Sequence, residues 1–156
     1  MRKMELFVAV TVVALGFWGC LIDGGNFVGP GDLNRGNQDR SDSGEYSYSG
    51  YDSQGTLIIR GALTIMREDT LRVTGTWKFE AAIRDSLGMF GPQVGSGNLV
   101  GSIHGDNIGL NLNPNYVDNN VLLAGTISYW GISGTWEYVG FPGVLNHGTF
   151  LALRTH

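Results

Sequence analysis

The strict alternation of residues between 71 and 81 constrains this chain more than any other feature. Leu71, Val73, Gly75, Trp77, Phe79 and Ala81 alternate with Arg72, Thr74, Thr76, Lys78 and Glu80. A period of two places the first set on one face of a β-strand and the second on the other. Residues 132–139 repeat the device, with Ile132, Gly134, Trp136 and Tyr138 set against Ser133, Thr135, Glu137 and Val139. Extended over the rest of the chain, the rhythm predicts strands near 45–52, 56–67, 71–82, 97–105, 107–113, 120–130, 132–140 and 147–155. Nothing after residue 20 reads as a helix. Glycine at 25 of 156 positions, with aromatics at 11%, fits tight turns joined by half-buried strands.

Several connections are too short for crossovers. Asp52–Gly55, Glu68-Asp69, Gly105-Asp106 and Trp130-Gly131 are hairpin turns, so sequential strands pair with their neighbours. Eight such strands with one apolar face remove both bare edges by closing on themselves. The expected fold is therefore all-β, an eight-stranded antiparallel up-and-down β-barrel, with a two-sheet β-sandwich as the alternative. Val73-Thr-Gly75-Thr-Trp77, Ile132-Ser-Gly134-Thr-Trp136, Ala124-Gly-Thr-Ile127 and His147-Gly-Thr-Phe150 share a small–Thr–large rhythm suited to a tightly curved sheet. Over roughly 45–155 this pattern is similar to the calycin-like small barrels, avidin-like and lipocalin-like. The resemblance implies a ligand-holding barrel; none of the polar residues that hold biotin in avidins maps onto this sequence.

The first twenty residues carry an address. Arg2 and Lys3 precede the apolar run Leu6–Trp18, which is of signal-peptide length and short for a membrane span, and Gly19-Cys20 closes it. This resembles the bacterial lipoprotein signal, although Phe17 and Trp18 stand where Leu and a small residue are usual. The resemblance implies cleavage before Cys20, lipidation of Cys20, and a location in the bacterial cell envelope. The resemblance further implies, through the enterobacterial sorting rule, an outer-membrane location, since Leu21 is not Asp. Residues 21–44 are rich in Gly, Asn, Asp and Ser without apolar periodicity, a linker composition. The expected organisation is a signal peptide over 1–19, a lipidated cysteine and flexible tether over 20–44, and a barrel over 45–156.

In an up-and-down barrel, turns after odd strands gather at one pole and turns after even strands at the other. The even turns (68–70, 105–106, 131) are minimal, while the odd ones include the longer 83–96, 114–119 and 141–146, which carry Met89, Phe90, Tyr116, Phe141 and Pro142. Long, partly apolar loops at one pole suggest a ligand mouth or a partner surface there, distal to the tether. Trp77 and Trp136 fall on strands four apart and are expected to confront each other across the interior. Two readings follow: the indoles plug a packed core, or they clamp a flat or apolar ligand that comes in past Phe90. In the second reading the binding residues are Trp77, Phe79, Trp136, Tyr138, Tyr48 and Phe90.

Other functions are disfavoured. A net charge of −4 without a Lys/Arg cluster argues against nucleic acid as a partner. His104, His147 and His156 have no metal-ligand spacing, and no cofactor motif is present. Glu80 and Glu137 have outward parity, so no interior carboxylate pair suggests an enzyme. Outward Arg60, Arg72, Lys78 and Glu137 break the apolar band that a membrane-spanning barrel needs. The expected partners are thus a membrane, through the lipid, and either a small apolar ligand or an envelope protein.

Overall fold

The computed structural model describes residues 42–83 and 90–155. The expected signal peptide, Cys20, nearly all of the tether, and Met89 lie outside the described residues. Eight antiparallel strands form a closed barrel: β1 (Gly44–Asp52), β2 (Leu57–Arg67), β3 (Arg72–Ala81), β4 (Gly95–His104), β5 (Asn107–Asn111), β6 (Asn120–Ile127), β7 (Gly131–Gly140) and β8 (Gly143–Arg154). Each strand pairs with the next, and β1 closes on β8 from Tyr46↔Arg154 to Asp52↔Gly148. The up-and-down barrel is the architecture; the sandwich alternative falls with that last seam.

Parity sets the core. On β3, Val73, Trp77 and Phe79 are buried while Arg72, Thr76, Lys78 and Glu80 are exposed. On β7, Ile132 and Trp136 are buried and Ser133, Thr135 and Glu137 are exposed. Leu71 departs from the expected pattern. It lies just before β3, where Asp69 turns the chain, and it stays exposed. Glu80 is on the outside as parity requires, paired across the ladder with exposed Arg60 at 2.8 Å.

Strand boundaries differ from the sequence-based ones by up to four residues, and two of the shifts matter to the mouth. The link between β7 and β8 is only Phe141-Pro142, because β8 begins at Gly143 rather than 147. A bulge at Leu145, between the Tyr138↔Asn146 and Val139↔Val144 pairs, breaks the alternation that would have revealed the start of β8. β5 stops at Asn111 rather than 113. The β6–β7 turn is 128–130, closed by Ser128 and Gly131.

Both tryptophans use one device. Trp77 lies against Gly97 of β4, and its indole N–H donates to the Leu112 carbonyl just beyond β5 at 2.6 Å. Trp136 lies against Gly148 of β8, and its N–H donates to the Tyr51 carbonyl of β1 at 2.7 Å. Each indole thus spans from its own strand to the second one along, four strands from the other. A Cβ at Gly97 would sit 2.9 Å from Trp77 Nε1, and one at Gly148 would sit 2.7 Å from Trp136 Nε1. Glycine is required there by close approach. The tryptophans occupy opposite walls, but each is tied sideways into its wall.

Candidate functional site

The odd pole carries the connections 82–94, 112–119 and 141–142; the chain comes into the barrel at the even pole, where Asp42 bonds Arg67 and accepts from Tyr46 Oη. Below the odd pole the expected ligand residues have packed on one another. The Tyr48 and Phe79 rings stack at 4.2 Å and 12°, meeting over Gly61, which is in register with both. Phe150 stacks on the other side of Tyr48 at 5.7 Å, and Trp77 tilts against Phe79 at 5.2 Å. Burial pushes the Tyr48 phenol far above the ordinary tyrosine range, and its hydroxyl has no hydrogen-bond partner among the described residues. Phe90 is buried as well. Gln93 beside it is fully buried and donates from Nε2 to the Phe90 carbonyl at 2.8 Å. Tyr48, Phe79, Phe90 and Trp136 are therefore core residues, packed as a plug.

Trp77 and Tyr138 have a different position. Both line an open cleft of about 760 Å³ at the odd pole, walled by residues 91–98 on one side and 112–119 on the other. Gly91, at φ +60°, rests on the Tyr138 ring. Tyr138 Oη in turn donates to Asn119 Oδ1 at 2.7 Å, and Asn119 itself has φ +65°. The two loops are thereby fixed to the end of β7. No residue of the lining carries a formal charge; it consists of aromatic, aliphatic, proline, small and asparagine side chains.

The cleft exists because the barrel wall is incomplete at this point. β4 stays paired with β3 along its whole length, from Arg72↔Ser102 to Phe79↔Gly95. Its pairing with β5 runs only from His104↔Asn107 to Val100↔Asn111. The next rung would join Asn98 to Asn113, but both main-chain groups of Asn113 are taken. Its N–H donates to Asn111 Oδ1 at 2.9 Å, and its carbonyl accepts from the Tyr116 N–H at 3.2 Å. Such a local side-chain bond competes directly with the ladder. Pro114 then fixes the backbone in the turn. β5 leaves the wall, and the gap becomes the cleft.

Of the residues named from the sequence, Trp77 and Tyr138 line the cleft; Asn98, Asn113, Asn115 and Asn119, which line it too, carry no signal in the strand alternation. The Asn113-Pro114 pair was the available signal, since Asn-Pro marks the start of a turn. Trp77 and Trp136, expected to form one clamp, are not a shared site: the first borders the cleft and the second does not. Among the described residues, no three His, Cys, Asp or Glu side chains converge as metal ligands. No family profile, curated protein or solved structure matches the chain. The described residues form a small closed antiparallel β-barrel whose wall opens where β5 leaves β4.

Proposed function

We propose that this is a lipid-anchored envelope protein, held to the membrane through Cys20, whose barrel binds a small uncharged ligand bearing an apolar or aromatic group. The cleft carries the reading. Its volume falls within the roughly 300–1,000 Å³ of small-ligand sites. It lies at the pole opposite the one where the chain comes in, and so faces away from a membrane on the tether side. The ligand rests at the rim, against Trp77 and Tyr138, rather than between the two indoles as the sequence suggested. Binding, not turnover, is the proposed activity.

The opposite pole supports the anchored reading. Tyr129 and Trp130 form an edge-to-face pair at the tip of the β6–β7 turn, 68% and 71% exposed. Amphipathic aromatics of this kind suit a membrane–water interface. Intact-mass measurement of membrane-extracted protein tests the anchor. A diacylglyceryl increment on a chain beginning at Cys20, absent from Cys20→Ser, is expected; an unmodified chain in the membrane refutes it. Titration with the neutral dye N-phenyl-1-naphthylamine tests the cleft. Saturable binding weakened by Tyr116→Ser is expected, and no binding refutes it.

A second reading has its own observation. Val117 is 98% and Phe141 93% exposed at the distal pole, an apolar rim suited to a protein partner over a filled core. Cross-linking in the envelope that is lost on Val117→Ser with Phe141→Ser, while dye binding persists, favours this reading.

A further inference from the structure

The gap in the wall leaves a short piece of β4 with an open edge, and the direction of its main-chain groups follows from one hydrogen bond. The Ile103 N–H donates to the Leu71 carbonyl, so the odd-numbered residues of β4 turn their N–H and C=O toward β3. The β3–β4 register runs without a shift to Phe79↔Gly95, and the alternation of an antiparallel ladder carries that assignment along the strand. The even-numbered residues turn theirs the other way: His104, Ser102 and Val100 meet Asn107, Gly109 and Asn111 of β5. Ser96 and Asn98 come next in the series, and β5 has already left. Their two N–H and two C=O groups aim into the cleft, which both residues line, with no partner among the described residues. The pairs are two residues apart, about 7 Å, the repeat of a strand.

We propose that the cleft takes an extended, uncharged peptide segment of another protein, added to β4 as a strand at Ser96 and Asn98. The inference rests on the cleft being a ligand site and names the class of ligand. Main-chain pairing matches a peptide's own repeat of donor and acceptor, the mode of recognition by strand addition. Side chains on one face of such a strand meet Trp77 and Tyr138, which suits an apolar or aromatic residue there. The wall across the gap offers Asn115, an amide able to donate and accept at the far edge of the added strand. The absence of formal charge from the lining disfavours an acidic or basic segment, whose desolvation nothing here would offset.

The test uses the full chain in detergent and a set of acetylated, amidated hexapeptides of Val, Thr, Ser, Phe and Gly. In the free protein the Ser96 and Asn98 amides exchange with solvent much faster than Gly97 and Leu99, which point to β3. Binding of a hexapeptide slows both by at least about tenfold. N-methylation of alternate peptide residues in one parity weakens binding at least about tenfold, while the opposite parity changes it little, since only one edge of the added strand faces β4. Ser96→Pro, which removes one N–H from the open edge, weakens binding likewise. No hexapeptide binding by about 1 mM overturns the proposal. So does binding in which both methylation parities behave alike and the two amides stay unprotected. Dye binding that survives either negative result leaves the cleft a ligand site and removes only the strand addition.

Discussion

Replacing Trp77 with phenylalanine probes the device that closes the barrel beside the cleft. The indole N–H makes a buried 2.6 Å bond to the Leu112 carbonyl, at the point where β5 leaves the wall. Phenylalanine keeps the tilted ring contact with Phe79 but loses the donor and two further ring carbons. A buried carbonyl left without a partner costs about 1–3 kcal/mol. The missing carbons cost about 0.8 kcal/mol each, before any cavity term. The sum is about 3–5 kcal/mol, a large share of the roughly 5–15 kcal/mol that holds a domain folded. Urea unfolding followed by far-UV circular dichroism measures it: the midpoint falls while the slope is unchanged. Trp130→Phe is the control. That side chain is exposed at the other pole, and its replacement shifts stability by no more than about 0.5 kcal/mol. A Trp77→Phe loss below about 1 kcal/mol, at constant slope, refutes the reasoning, because it means that water from the cleft already satisfies the Leu112 carbonyl.

Tyr48→Phe goes the other way: it removes a buried hydroxyl without a partner and keeps both ring stacks, so the thermal midpoint stays level or rises, corresponding to up to about 2 kcal/mol. A fall of similar size would reveal a bond to the hydroxyl. Gly148→Ala drives a Cβ into the Tyr51 carbonyl and within 2.7 Å of Trp136 Nε1, and is expected to cost about 1–3 kcal/mol in a urea titration, with a wild-type midpoint as the contrary result. Asp69 accepts from the Leu71 and Arg72 main-chain N–H groups and from the Arg72 side chain, which together hold its carboxyl down at about 2. A depressed carboxyl pKa contributes stability above its unfolded value, lost as pH falls toward its folded one. Wild-type stability should therefore decline between about pH 4 and pH 2 with a component that Asp69→Asn lacks; parallel curves for the two proteins would contradict it.

The parts of the fold legible in the sequence were those where alternation was unbroken. β3 and β7 could be read residue by residue because their inward sets are apolar and their outward sets are not. The polarity of the two poles followed from turn lengths alone. What escaped was local. The Leu145 bulge hid the first residues of β8, so a two-residue turn at Phe141-Pro142 looked like a six-residue loop. The end of β5 was set by one side chain, Asn111, capturing the Asn113 N–H, an event that leaves no hydrophobic signature. Parity also reports which face a side chain occupies but not how deep it sits. Tyr48, Phe79 and Trp136 were correctly inward, yet parity could not separate a plug from a lining. Trp77 and Tyr138 differ from them only because the wall fails beside one and the distal loops rest on the other.

That failure of the wall bears on why the protein keeps a closed barrel at all. A bare strand edge invites pairing with any other edge, and closure is the complete remedy. The β4–β5 seam stops at Val100↔Asn111 and leaves Ser96 and Asn98 as edge beside the cleft, while the β1–β8 seam stops at Asp52↔Gly148, short of the start of β8 at Gly143. An opening so short, walled on its far side by residues 112–119, does not admit the edge of another folded sheet, whose neighbouring strand and side chains would strike that loop. A slender single segment or a small molecule passes. The asparagines that end β5 thus do two things at once: Asn111 releases the rung, and the turn it starts screens the vacancy. Asn111→Ala separates these roles. Without its carboxamide oxygen the Asn113 N–H is free to donate to the Asn98 carbonyl; the Tyr116 N–H then yields the Asn113 carbonyl to the Asn98 N–H, the ladder extends by one rung, and the Asn98 amide becomes protected from exchange while dye affinity falls. If the Asn98 amide instead exchanges as fast as in the wild type, Pro114 and the Tyr116 bond, not the Asn111 side chain, hold the wall open.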